Sequence, residues 1–114
     1  MAITKSPDEL AAWFDTGNVG KRLVAYWLAE NGYSTNIDTK GPGSTDIEAR
    51  GSAKSLLVQV KSAKQPNSPG PVSPDEERNI TARAARLGFE AWEAQVTLDE
   101  QLRQVGEILW RKLV

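Results

Sequence analysis

Asp46, Gln59 and Lys61 have the side-chain types and the spacing that phosphodiester chemistry uses. Asp46 opens a short alternating stretch that runs to Arg50, and Gln59 and Lys61 stand two apart at the end of the next one, Ser55 to Lys61. Alternation puts Asp46 and Glu48 on one face and Ile47 and Ala49 on the other. In the second stretch Leu56, Val58 and Val60 share a face, and Leu57, Gln59 and Lys61 share the opposite one. Paired antiparallel through Gly51-Ser52-Ala53-Lys54, the two strands gather a carboxylate, an amide oxygen and an ammonium at one edge. A divalent cation held there neutralises a phosphate and polarises water, while a fixed lysine orients or deprotonates that water.

The elements that deliver this arrangement flank it. Ser6-Pro7-Asp8-Glu9 has the form of a capping box with proline at the first helical position, and predicts a short helix carrying Leu10, Trp13 and Phe14 that ends before Gly17. Val19, Leu23, Tyr26 and Trp27 recur at helical spacing, widened by Val24 and Leu28, which predicts a sheet-packing helix from about Val19 to Asn31 with Asn31-Gly32 as its stop. Tyr33 to Thr39 predicts a polar strand near an edge, and Lys40-Gly41-Pro42-Gly43-Ser44 a turn. Ser62 to Ser73, with Pro66, Pro69, Gly70 and Pro71, predicts an exposed loop. A second capping box, Ser73-Pro74-Asp75-Glu76, starts a helix to about Leu87 that Gly88 ends. Phe89 to Leu98 alternates as a strand. Asp99 or Glu100 then begins a final helix that presents Leu102, Val105, Leu109 and Leu113 at helical spacing, with Ile108 and Trp110 beside them. The expected order is α-α-β-β-β-α-β-α within one domain spanning residues 1–114.

Composition narrows the chemistry further. The chain has 114 residues, 39% hydrophobic and 25% charged, in the range of a folded globular domain. With 14 Lys and Arg against 15 Asp and Glu, a sequence-blind polycation is excluded, and any polyanion site must be a local basic patch. Neither Cys nor His occurs in the sequence. Disulfides, thiolate-held metals, histidine-based triads and His-ligated metals therefore drop out, leaving carboxylate, amide, lysine and hydroxyl chemistry with hard, oxygen-seeking cations as partners. No apolar run approaches the ~20 residues of a membrane span, and the first residues lack the apolar core of a signal peptide, so a cytoplasmic protein with no membrane partner is expected.

Gly43-Ser44-Thr45-Asp46 followed by Leu57-Val58-Gln59-Val60-Lys61-Ser62 resembles the motif of the PD-(D/E)XK nuclease superfamily, which contains restriction endonucleases and archaeal-type Holliday junction resolvases. The helix with Gly20 and its Asn31-Gly32-Tyr33 ending is similar to the first helix of those resolvases. The resemblance implies an α/β fold with a restriction-endonuclease-like αβββαβ core, a mixed central sheet flanked by helices, and extra N- and C-terminal helices. It implies a metal-dependent DNA endonuclease using Mg²⁺ or Mn²⁺, with Asp46 as metal-ligating aspartate, Lys61 as motif lysine and the Val60 carbonyl as a further ligand. Gln59 stands where most members carry Asp or Glu, a variant found in the Mrr-type branch that acts on modified DNA. Thr45 occupies the motif's nominal proline position. Resolvase-like members place a glutamate on the first helix; here the register offers Lys21, and Glu48, on the strand face of Asp46, is the acidic substitute. DNA, branched or modified, is the implied partner, and a homodimer follows from cutting two symmetry-related strands.

The helix after the loop adds Arg78, Asn79, Arg83 and Arg86, which with Lys54, Lys61 and Lys64 can form the local patch that DNA needs. The competing expectation is a solvated helix face on which Glu76 and Glu77 pair within the helix. Trp13, Trp27, Trp92 and Trp110 sit beside other apolar residues, so core or subunit-interface packing is expected of them rather than base stacking. Two rival functions remain open: the same fold retained as a catalytically weak or inactive module that binds nucleic acid or a protein partner, motivated by Lys21 and Gln59, and a small α/β protein that binds an unrelated protein.

Overall fold

The structure, a computed structural model, describes residues 15–38 and 45–114. The helix expected from Ser6, with Leu10, Trp13 and Phe14, and the turn from Lys40 to Ser44 lie outside the described residues. Within them the order is α1 (Thr16–Glu30), β1 (Ser34–Ile37), β2 (Ile47–Arg50), β3 (Ser55–Lys64), α2 (Pro74–Leu87), β4 (Glu90–Leu98) and β5 (Leu109–Leu113). The strands form one mixed sheet in the order β1-β2-β3-β4-β5. β1, β2 and β3 are antiparallel neighbours, β4 is parallel to β3, and β5 is antiparallel to β4. Only the β3–β4 pair needs a crossover, which α2 supplies.

Strand alternation sorts the core into two layers. On one face Leu56, Val58, Val60, Ile47 and Ala49 pack with Ala94, Val96 and Leu98 under Val24, Ala25 and Leu28 of α1. On the other, Leu57, Ala91 and Leu113 meet Ile80 and Ala84 of α2. Helices on both faces of a largely buried sheet are what its apolar strands require.

The local signals explain most element ends. Asp15 caps α1 by accepting from the Asn18 amide. Both arms of the Ser73–Glu76 capping box form, and Gly88 closes α2 in the left-handed conformation. α1 crosses β3 so closely that a Cβ on Gly20 would lie 1.7 Å from Ser62 Oγ and 2.9 Å from its Cβ, which fixes glycine there.

Two expectations are corrected. The predicted loop from Ser62 starts later, because β4 runs beside β3 as far as the Lys64–Leu98 pair and holds Ser62, Ala63 and Lys64 in the strand. The final helix does not form. The Asp99 carboxylate accepts from the Gln101 and Arg103 amides, Leu102 takes a positive φ of 62°, and the Val105 amide returns to Thr97. The chain therefore doubles back, and Leu109–Leu113 joins the sheet as β5. Asp99 side-chain capping competes with helix initiation at this point, and the C-terminal helix is replaced by a strand.

Candidate active site

The site begins with a mismatch in strand length. β2 pairs with β3 only from Ile47–Val58 to Arg50–Ser55, so from Val60 onward β3 lacks an antiparallel neighbour. The Asp46 amide makes the last link, to the Val58 carbonyl. Beyond it the Asp46 carboxylate takes over, Oδ2 accepting from the Val60 amide at 2.8 Å. An extended residue sends its N–H and C=O to the same side, so the Val60 carbonyl faces the side where Asp46 stands.

Gln59 and Lys61 point to the α2 face, where they meet Glu76, a residue that sequence reasoning assigned to helix capping and to pairing within the helix. Lys61 Nζ donates to both oxygens of Glu76 at 2.9 Å, and Gln59 Nε2 donates to Glu76 Oε2 at 3.3 Å. Glu76 also accepts from the Ser73 amide at 3.0 Å. The Lys61 hydrogen bonds, opposed by burial and reinforced by Ser73, hold the Glu76 carboxyl below the usual carboxylate range. The signal for Glu76 was its place as the third residue after Ser73. Its reach to Lys61 depends on how the loop from Gln65 returns the chain, which the sequence pattern does not encode.

The Gln59 amide is oriented by chemistry: its NH₂ must face the carboxylate, which leaves Oε1 on the far side. That oxygen is buried and has no hydrogen-bond partner among the described residues; Thr45 Oγ1 and Ser62 Oγ share this condition. A buried acceptor without a donor is costly, and a cation is one group that relieves it.

Lys21 reaches Asp46 from α1. Its Nζ lies 3.2 Å from Asp46 Oδ1 and donates to the Asp38 carbonyl at 3.0 Å. Both side chains are largely removed from solvent, at 14% and 8% exposure. Among the described residues no group of three or more acidic side chains gathers as a metal cluster. Asp46 Oδ1, Gln59 Oε1 and the Val60 carbonyl are nonetheless hard oxygen donors of the kind Mg²⁺ and Mn²⁺ prefer, and the ammonium on Asp46 shows that this position accepts positive charge. By donor type these oxygens suit a divalent cation.

A cleft of about 300 Å³ opens beside Asp46, lined by Asp38, Thr45, Asp46, Glu48 and Arg83 among others. A larger depression of about 660 Å³ lies around Gln65–Ser68 and Asp99–Gln101, and its only charged side chains are Asp99 and Glu100, which repel phosphate.

The remaining predicted residues divide. Glu48 lines the same cleft as Asp46 and is held by Arg83 at 2.8 Å, with Arg50 at 3.7 Å. Arg78 pairs with Asp75 one helical turn away; Arg78, Asn79, Arg86 and Lys64 are exposed. Arg78 and Arg83 do not form one row, because five helical steps rotate the direction by about 140°. Glu76 and Glu77 reach the sheet instead of pairing within the helix, Glu77 meeting Arg111 of β5 at 3.4 Å. Lys54 belongs elsewhere, 5.9 Å over the Trp92 ring. Trp92 and Trp110 pack against the α1-side core; the Trp110 ring lies 5.0 Å from that of Trp27, tilted by 44°, and Trp27 is 42% exposed.

No protein-family model and no curated protein sequence matches the chain. Among solved structures it is similar to Hjc from Archaeoglobus fulgidus, a Holliday junction resolvase from an archaeal hyperthermophile. The TM-score is 0.61 at 20% sequence identity, over 80% of this chain and 74% of that one. The shared architecture is the restriction-endonuclease-like fold. No helix among the described residues is long and apolar enough to cross a membrane.

Proposed function

We propose that the protein is a metal-dependent DNA endonuclease that hydrolyses phosphodiester bonds, with branched or modified DNA as the substrate class. One observation supports the reading: where β2 stops short of β3, the Asp46 carboxylate accepts from the Val60 amide, and Val60 lies on β3 between Gln59, whose amide oxygen is buried and unpartnered, and Lys61. Asp46, Gln59 and the Val60 carbonyl hold Mg²⁺ or Mn²⁺. When bound, the cation supplies charge neutralisation at the phosphate and a more acidic water.

The chain's own residues do the rest. The Val60 amide fixes the Asp46 carboxylate in one orientation. Glu76, ionised and bonded to Lys61 through both oxygens, aims the Lys61 ammonium, which orients the attacking water and stabilises charge developing on the phosphate. Lys64, Arg78, Asn79 and Arg83 contact DNA phosphates, Arg83 by exchanging Glu48 for the backbone. A homodimer presents two such sites to two strands.

Cleavage of plasmid and four-way-junction DNA with Mg²⁺ or Mn²⁺ tests the proposal. Products that require the metal and disappear in Lys61→Ala support it; equal activity in Lys61→Ala and the parent overturns it. The Lys21–Asp46 pair favours a second reading, a nuclease-fold module that binds nucleic acid without cutting. Metal-independent binding to linear, branched and methylated DNA, with no cleavage of any, establishes that alternative.

A further inference from the structure

Resting on the nuclease reading, we propose that Lys21 is a built-in counter-cation that competes with the divalent metal for Asp46 and so sets how tightly the site binds it. The Lys21 ammonium is 3.2 Å from Asp46 Oδ1, the carboxylate oxygen left over once Oδ2 has accepted the Val60 amide. The pair is nearly desolvated, so its attraction is not screened away as a surface pair's is. Lys21 has a second anchor, the Asp38 carbonyl at 3.0 Å, which can keep the ammonium nearby when Oδ1 is taken by another cation. The charges around the site are balanced without a metal: Asp46 is matched by Lys21, and Glu76 by Lys61. A divalent cation entering this balanced site must displace or face an ammonium, whereas without Lys21 it enters a site with one uncompensated carboxylate. α1 is fixed at the distance this contact needs by the close approach of Gly20 to Ser62.

The test is Mn²⁺ binding to the full-length protein without DNA, followed by electron paramagnetic resonance, in the parent, Lys21→Met and Lys21→Arg. Removal of the charge is expected to tighten Mn²⁺ binding about tenfold or more, and the charge-preserving arginine to leave it near the parent value. Lys21→Met is also expected to lower the unfolding temperature in chelator and to regain the loss with Mn²⁺, a shift that a purely structural lysine does not produce. Asp46→Asn, alone or combined with Lys21→Met, should abolish the binding. Equal or weaker Mn²⁺ affinity in Lys21→Met overturns the competition while leaving the metal site intact. Absence of binding in both parent and Lys21→Met overturns the metal site and the competition together.

Discussion

Glu76 serves two structures at once. It returns the capping bond to the Ser73 amide at the start of α2, and it holds Lys61 through both carboxylate oxygens. Its carboxyl gives up its proton at lower pH in the folded chain than in the unfolded one, because Lys61 and Ser73 stabilise the charge more than burial opposes it. The stability it contributes is therefore present above the unfolded pKa and is lost as pH falls through the folded value. Glu76→Gln should be less stable than the parent at neutral pH and should show a shallower loss toward acid, read from unfolding midpoints across pH. Gln59 and Lys61 could be picked out from residue type and alternation because both sit on β3, whose period is fixed, and Asp46 from its place just before β2. Glu76 could not, since its meeting with Lys61 is set by the path of a proline-rich loop.

At the scale of elements, α1 and α2 each carry a residue that the site depends on, and each is held by a local device. α2 starts at the Ser73 box, so Ser73→Ala should cost about 1 kcal/mol in chemical denaturation and also slow cleavage by loosening Glu76, while Ser73→Asp retains both. α1 is held against β3 at Gly20, so Gly20→Ala should cost about 1–3 kcal/mol through overpacking on Ser62. The Ser73 capping box and the Gly88 stop were visible in the sequence because caps are local. The C-terminal strand was not. Leu102, Val105, Leu109 and Leu113 do repeat at helical spacing, but Asp99 captures the first amides, and β5 gains a neighbour in β4 that spacing alone does not reveal.

Across the whole molecule, β5 also delivers Arg111 to Glu93, which is buried on β4. Burial opposes ionisation of Glu93, but Arg111, the Val72 amide and Gln95 outweigh it and hold the carboxyl below its usual range. Arg111→Ala should cost roughly 2 kcal/mol in denaturation at neutral pH, the worth of a hydrogen bond to a charged group, and make the loss of stability toward acid shallower than the parent's. Net charge is close to balance, at 14 basic against 15 acidic residues, so DNA affinity must come from a patch. Arg78→Ala should weaken binding to all sequences alike and lower the salt dependence by about one ion, measured by titration at several salt concentrations.

The most direct measurement is a single-turnover double-mutant cycle on four-way-junction DNA with Mn²⁺, comparing Asp46→Asn, Lys61→Ala and the pair of changes together. Groups that act as one unit lose the reaction at the first substitution. Each single variant should therefore be slower by about 100-fold or more, and the double variant no slower than the worse single. Parent-like rates in either single variant would contradict a shared catalytic role for the two residues.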